Sequence, residues 1–190
     1  MQEDKWNNPF TDVSEKDEFY DSVRFVFEKK LFLGTSDTTF SPEKTMTRAM
    51  FVTVLGRLAN VDESKYTGSS FSDTEDGQWY SAYVKWAAEE GIVLGYGNGK
   101  FGVNDQITVQ QAAVIIARFA SYVGFDMTAD DASASYADTA DVADWAKAEM
   151  NWVIENGIYE GRDGKLSPKE LAPRSLVATM IHRFAEGFIN

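Results

Sequence analysis

The sequence contains no cysteine, which excludes disulfides, thiolate metal sites and cysteine nucleophiles. That absence does not by itself place the chain in the cytosol. Proline is scarce, with four residues in 190, and His182 is the lone histidine. No apolar run reaches the roughly eighteen residues that a membrane-spanning helix needs. Positive charge is in deficit: 18 Lys and Arg face 30 Asp and Glu, for a net charge of −12. Such a surface repels DNA, RNA and anionic lipid, so no nucleic-acid partner and no membrane insertion are expected. A local anion site around an arginine remains compatible with it. The opening Met1-Gln2-Glu3-Asp4-Lys5-Trp6 is polar and acidic, unlike a signal peptide. The chain is therefore either intracellular or a segment of an exported protein whose export signal lies outside it.

Apolar residues, in contrast, make up 44% of the chain and aromatics 14%, enough for a core and too much for a disordered segment. These residues recur with a period of about sixty. Phe10-Thr11-Asp12-Val13 returns as Phe71-Ser72-Asp73-Thr74 and as Tyr136-Ala137-Asp138-Thr139. Lys30-Leu31-Phe32-Leu33-Gly34 returns as Gly91-Ile92-Val93-Leu94-Gly95 and Gly157-Ile158-Tyr159-Glu160-Gly161. Phe40 corresponds to Phe101 and Leu166, and Arg57-Leu58 to Arg118-Phe119 and Arg183-Phe184. The copies span residues 8–60, 70–124 and 135–188, and the linkers Asn60 to Ser70 and Gly124 to Ser135 are polar or small.

Each copy reads as helix, loop, helix. Helical spacing gives the first helices inward sets of Phe19, Val23, Val26 and Phe27; Tyr80, Tyr83, Val84, Trp86 and Ala87; and Trp145, Ala148, Trp152 and Val153, with Met150 flanking the last stripe. Gly91 and Gly157 fit helix ends, and Lys30 places a cation at the corresponding end. Thr47 and Thr108 stand where a hydroxyl caps the second helix, and Pro173 stands at the third start, where no N–H is needed. Phe51, Val54, Leu55 and Leu58, then Ala112, Ile115, Ile116 and Phe119, then Val177, Met180, Ile181 and Phe184 form core-facing stripes. One helix pair cannot bury its apolar face alone. The expectation is a single all-α domain over residues 1–190, with three helix-loop-helix repeats in pseudo-threefold arrangement.

In that order, the aromatic-x-Asp entry, the Trp-bearing helix, Gly-Ile-x-x-Gly, the Gly-x-Phe loop and Thr47-Arg48-Ala49 resemble the S-layer homology repeat over nearly the whole chain. The resemblance implies a three-pronged spindle whose grooves hold a secondary cell-wall polysaccharide, often one bearing a pyruvate ketal. It implies an extracellular module of the bacterial cell wall or S-layer that anchors the rest of a parent surface protein non-covalently, with no enzymatic activity and no cofactor. The chemistry of the motif agrees. Arginine's planar fork matches a carboxylate, a helix start favours an anion, aromatic rings suit the C–H faces of sugars, and glycine permits close approach. The ligand-binding candidates are Arg48, Arg174, Thr47, Gly34, Gly95, Gly161, Trp79, Trp145 and Tyr96. The second copy departs from the pattern, with Val109 at the arginine position, which leaves Arg48 and Arg174 as the two anion contacts. The alternative is a structural or protein-interaction module whose sugar sites have decayed.

Other chemistries find little purchase. Trp86 and Trp152 read as core. Asp12, Asp73 and Asp138 read as structural, capping the following helix or tying down its entry loop. His182 lacks the companions a metal or catalytic site needs, and Asp163-Gly164-Lys165-Leu166 with Glu170 fails as a calcium loop because Tyr159 and Gly161 occupy its first ligand positions. No Gly-x-Ser-x-Gly is present.

Overall fold

The computed structural model describes residues 6–188; the polar lead-in over residues 1–5 lies outside the described residues. Among these residues there are six α-helices and no sheet: α1 (Tyr20–Glu28), α2 (Arg48–Leu58), α3 (Ser81–Glu89), α4 (Val109–Tyr122), α5 (Lys147–Glu155) and α6 (Arg174–Phe188). Each sequence copy supplies two of them. The chain falls into two compact units, one of Met1–Lys44 with Pro173–Asn190 and one of Thr45–Ala172.

The packed helix pairs are not the two helices of one copy. In the first unit α1 packs on α6; in the second α2 packs on α3 and α4 on α5. A second helix therefore buries its stripe against the first helix of the next copy, and the last helix returns to the first. Val23 and Val26 of α1 are fully buried, as are Val177, Met180, Ile181 and Phe184 of α6. Trp86 of α3 and Trp152 of α5 are both about 1% exposed, and Trp86 lies edge-on to the rings of Phe119 and Tyr122 of α4. Where α2 meets α3 the helices approach so closely that a Cβ at Gly56 would lie 2.2 Å from Cδ1 of Tyr83.

The predicted inward set of α5 needs correction. Trp145 and Ala148 are exposed, while Ala146, Met150 and Val153 are buried. A short 3-10 turn, Asp144–Ala146, precedes the helix. It moves the start of the helical register to Lys147, so Ala146, Met150 and Val153 follow i, i+4, i+7 on the buried face, with Trp152 of the predicted set buried beside them.

The helix ends behave as chemistry requires. Thr47 accepts from the Met50 N–H, and Thr108 forms a reciprocal capping box with Gln111. Pro173 holds the same place before α6, its carbonyl accepting from the Val177 N–H at 3.0 Å. Gly91 and Gly157 carry left-handed φ values of 70° and 68° after α3 and α5. Lys30 occupies the equivalent position at φ 55°, a conformation that costs any residue with a Cβ.

The loops between helices are held by one device used three times. The Asp12 carboxylate accepts from the N–H groups of Phe40 and Ser41, Asp73 from Phe101 and Gly102, and Asp138 from Leu166 and Ser167, all at 2.7–2.8 Å. The three aspartates are thus structural, but they fasten the far loop of their own copy rather than the next helix or its entry loop. Beside each clip, a Cβ on Gly34, Gly95 or Gly161 would strike a loop carbonyl at 2.6 Å or less.

The chain just before each second helix makes a further recurring bond. The N–H of Arg48 donates to the carbonyl of Asp105, that of Val109 to Glu170 and that of Arg174 to Lys44, each at 2.9 Å. The order is cyclic: copy one to two, two to three, three to one.

Candidate functional site

Arg48 opens α2 and reaches the inter-helix loop of the next copy. Its Nε donates to the carbonyl of Phe101 at 2.9 Å. The guanidinium lies over the rings of Tyr96 and Phe101, 4.8 and 4.9 Å from their centroids. The side chain is buried, and burial lowers its pKa, with Tyr96, Asp105 and Asp73 opposing the shift. Among the described residues no carboxylate stands within ion-pair distance of it and its terminal nitrogens have no hydrogen-bond partner. Those nitrogens are not sealed off, since among the described residues the one side-chain polar atom that is both buried and unpartnered is the hydroxyl of Thr53.

They face a cavity of about 360 Å³ whose walls include Arg48, Leu94, Tyr96, Gln111, Arg118 and Trp145. Every residue of the lining belongs to the second unit, and none of them is an Asp or Glu. In a chain of net charge −12 the lining itself holds two cations and no carboxylate, with Asp105 and Glu149 standing behind it against Tyr96 and Arg118. Tyr96 is held in place: its hydroxyl donates to Asp105 at 2.9 Å, and Gly102 leaves room for its ring, because a Cβ there would lie 2.5 Å from Cε2. Trp145 is 53% exposed. The turn that presents it is fixed from behind, the side-chain carbonyl of buried Gln110 accepting from the Ala143 N–H at 3.0 Å. The site therefore offers a buried cation, a second cation, and flat aromatic and aliphatic area around an open cavity. That combination suits a ring-bearing anion.

Of the residues expected from sequence, Arg48, Gly95, Tyr96 and Trp145 come together here. Thr47 serves α2 as its cap. Trp79 is exposed at the foot of α3 and Gly161 sits in the third copy's loop; neither lines this cavity. Arg174 and Gly34 belong to the first unit. There Arg174 repeats the pattern of Arg48. Its Nε donates to the Phe40 carbonyl at 2.8 Å and Nη2 to the Leu33 carbonyl, over the rings of Phe32 and Phe40. Burial lowers its pKa to about 10, opposed by Asp12. Arg118, a repeat landmark in the sequence, and Gln110 were not among the expected site residues. A cation at the same place beside the apolar stripe in every copy (Arg57, Arg118, Arg183) was the available signal.

The missing arginine of copy two has a structural replacement. The carbonyl of Leu166 corresponds to those of Phe40 and Phe101, and it accepts from the hydroxyl of Tyr159 at 2.5 Å. Tyr159 corresponds to Val93 and Phe32. Burial raises the pKa of this phenol well above its ordinary value, with Asp138, Glu170 and Tyr136 adding to the shift. One neutral side chain thus supplies the buried bond that an arginine supplies elsewhere.

Residues 9–50, 70–113 and 135–172 each match the S-layer homology domain. The chain belongs to the S-layer homology domain family. It is 29% identical over 167 residues to an exoglucanase of Acetivibrio thermocellus, covering 87% of this chain and 15% of that protein. It is 28% identical over 184 residues to an amylopullulanase of Thermoanaerobacterium thermosulfurigenes, covering 96% and 10%. With an S-layer protein of Bacillus anthracis it shares 27% over 180 residues, covering 94% and 21%. The chain spans about a fifth or less of the length of these curated relatives. As a member of this family it is a cell-wall anchoring module, and its place is the bacterial cell surface. No helix among the described residues is long and apolar enough to cross a membrane.

Proposed function

We propose that this S-layer homology module binds an anionic secondary cell-wall polysaccharide in the cavity around Arg48, and so tethers the protein that carries it without a covalent bond and without catalysis of its own. The observation that carries this reading is the lining itself: two arginines, an exposed tryptophan and no carboxylate, in a strongly acidic chain. A sugar carboxylate, such as that of a pyruvate ketal, would meet the free edge of Arg48, while the sugar's C–H face lies on Trp145. Arg174 is the second contact we propose, since its Nη1 has no hydrogen-bond partner among the described residues. The glucanase, amylopullulanase and S-layer activities named for the relatives would then reside in the parts of those proteins that this chain does not cover.

Sedimentation with Gram-positive sacculi tests this. The chain is expected to co-sediment with intact sacculi and to remain in solution after acid extraction of the wall polysaccharide. Sedimentation that survives extraction would point instead to a protein or peptidoglycan partner.

A further inference from the structure

Arg118 is poorly accounted for by packing. It projects from α4 into the cavity wall beside Arg48. Its partner is Glu149 of α5, with 3.8 Å between Nε and Oε1. That separation is beyond hydrogen-bond range, and no hydrogen bond to another described residue satisfies the guanidinium. Both side chains remain partly exposed. Ion pairs of this kind contribute little and are displaced cheaply. Arg118 is therefore a loosely held cation at a pocket that already contains one buried cation.

From this we infer that Arg118 is a second anion contact and Glu149 its internal competitor, so that the pair makes the site select glycans bearing two anionic groups over those bearing one. The inference rests on the sugar-binding reading above and adds its selectivity. A singly charged glycan engages Arg48 and leaves the Arg118–Glu149 pair intact. A doubly charged one takes the fork of Arg118 in two charge-assisted hydrogen bonds, and Glu149 is displaced toward solvent. The glutamate then lies close to the ligand's second charge, where it opposes binding. Its effect is to set a threshold of ligand charge.

The test is isothermal titration of the full chain with digalacturonic acid and with the same disaccharide after one carboxylate is reduced to the alcohol. The wild type is expected to prefer the dicarboxylate by about tenfold, the size of a charge-assisted contact. Arg118→Gln is expected to bind the two disaccharides alike, neither more tightly than the wild type binds the singly charged one. Glu149→Gln is expected to bind the dicarboxylate about fivefold more tightly, and the singly charged sugar unchanged. Thermal melts of each variant establish that folding is unaltered. A preference that persists in Arg118→Gln, or a Glu149→Gln variant with unchanged affinities, overturns the inference. If neither disaccharide binds a chain that still sediments with sacculi, the inference alone fails; if sedimentation is absent as well, the sugar-binding reading fails with it.

Discussion

At the scale of single residues, the arginines of this chain carry two duties that can be separated. Nε of Arg48 satisfies the buried Phe101 carbonyl, while its outer edge faces the cavity. Arg48→Ala therefore confounds binding with folding, because it leaves an acceptor unpaired at a cost of about 1–3 kcal/mol. The protein contains the remedy. At Leu166 the hydroxyl of Tyr159 meets the same need, with Val109 in place of an arginine. Arg48→Val with Val93→Tyr transplants that arrangement. The double variant is expected to melt within a few degrees of the wild type and to lose binding to wall polysaccharide. Arg48→Val alone is expected to lose both binding and stability. Differential scanning calorimetry and titration of the polysaccharide distinguish the two. The aspartate clips are a second residue-scale feature. Burial works against the charges of Asp73 and Asp138, but the backbone N–H groups of their loops outweigh it and depress both pKa values. A depressed carboxylate contributes stability above its unfolded pKa of about 4, and that contribution is lost as pH falls through the folded value. The melting temperature is expected to drop on acidification below about pH 4. Asp73→Asn is expected to begin about 1–2 kcal/mol lower at neutral pH and to fall less steeply.

At the scale of elements, the helix termini and crossings define which substitutions are tolerated. Lys30 performs with a left-handed φ what Gly91 and Gly157 perform without strain. Lys30→Gly is expected to stabilise the chain by about 0.5–1 kcal/mol in chemical denaturation. Gly56 is the reverse case. Tyr83 occupies the space of its missing Cβ, and Gly56→Ala is expected to destabilise by about 1–3 kcal/mol through overpacking, despite alanine's better helix propensity. These elements were legible in the sequence to different degrees. The second helices were read to their caps, because Thr47 and Thr108 precede unbroken apolar stripes. The start of α5 was not, because the 3-10 turn over Asp144–Ala146 sets its side chains three to a turn and helical spacing begins only at Lys147. Likewise the aspartates announced a fastening role, but the distance to the loop they fasten does not appear in local sequence.

At the scale of the whole molecule, pairing across copies means that no copy buries its helices unaided. The most sequence-distant pair is α1 with α6. A chain ending at Ala172 is expected to lose protection in α1, and hydrogen exchange should report it as rapid labelling of Tyr20–Glu28, far from the cut in sequence. Periodicity disclosed three copies, yet which helix packs on which is settled by contacts between copies that one period cannot display. The site has the same origin: Arg48 comes from copy one, Tyr96 and Arg118 from copy two, and Trp145 from copy three. Motif reading found Arg48, Gly95, Tyr96 and Trp145 but could not anticipate that they share one cavity.

The measurement that bears most directly on the anchoring role is the equilibrium affinity of the chain for purified acidic wall polysaccharide, compared with that of the Arg48→Val, Val93→Tyr variant. Tight binding by the wild type with at least a tenfold loss in a variant that melts normally is the predicted result. Equal affinity for both proteins would contradict it, and would place the wall contact somewhere other than the Arg48 cavity.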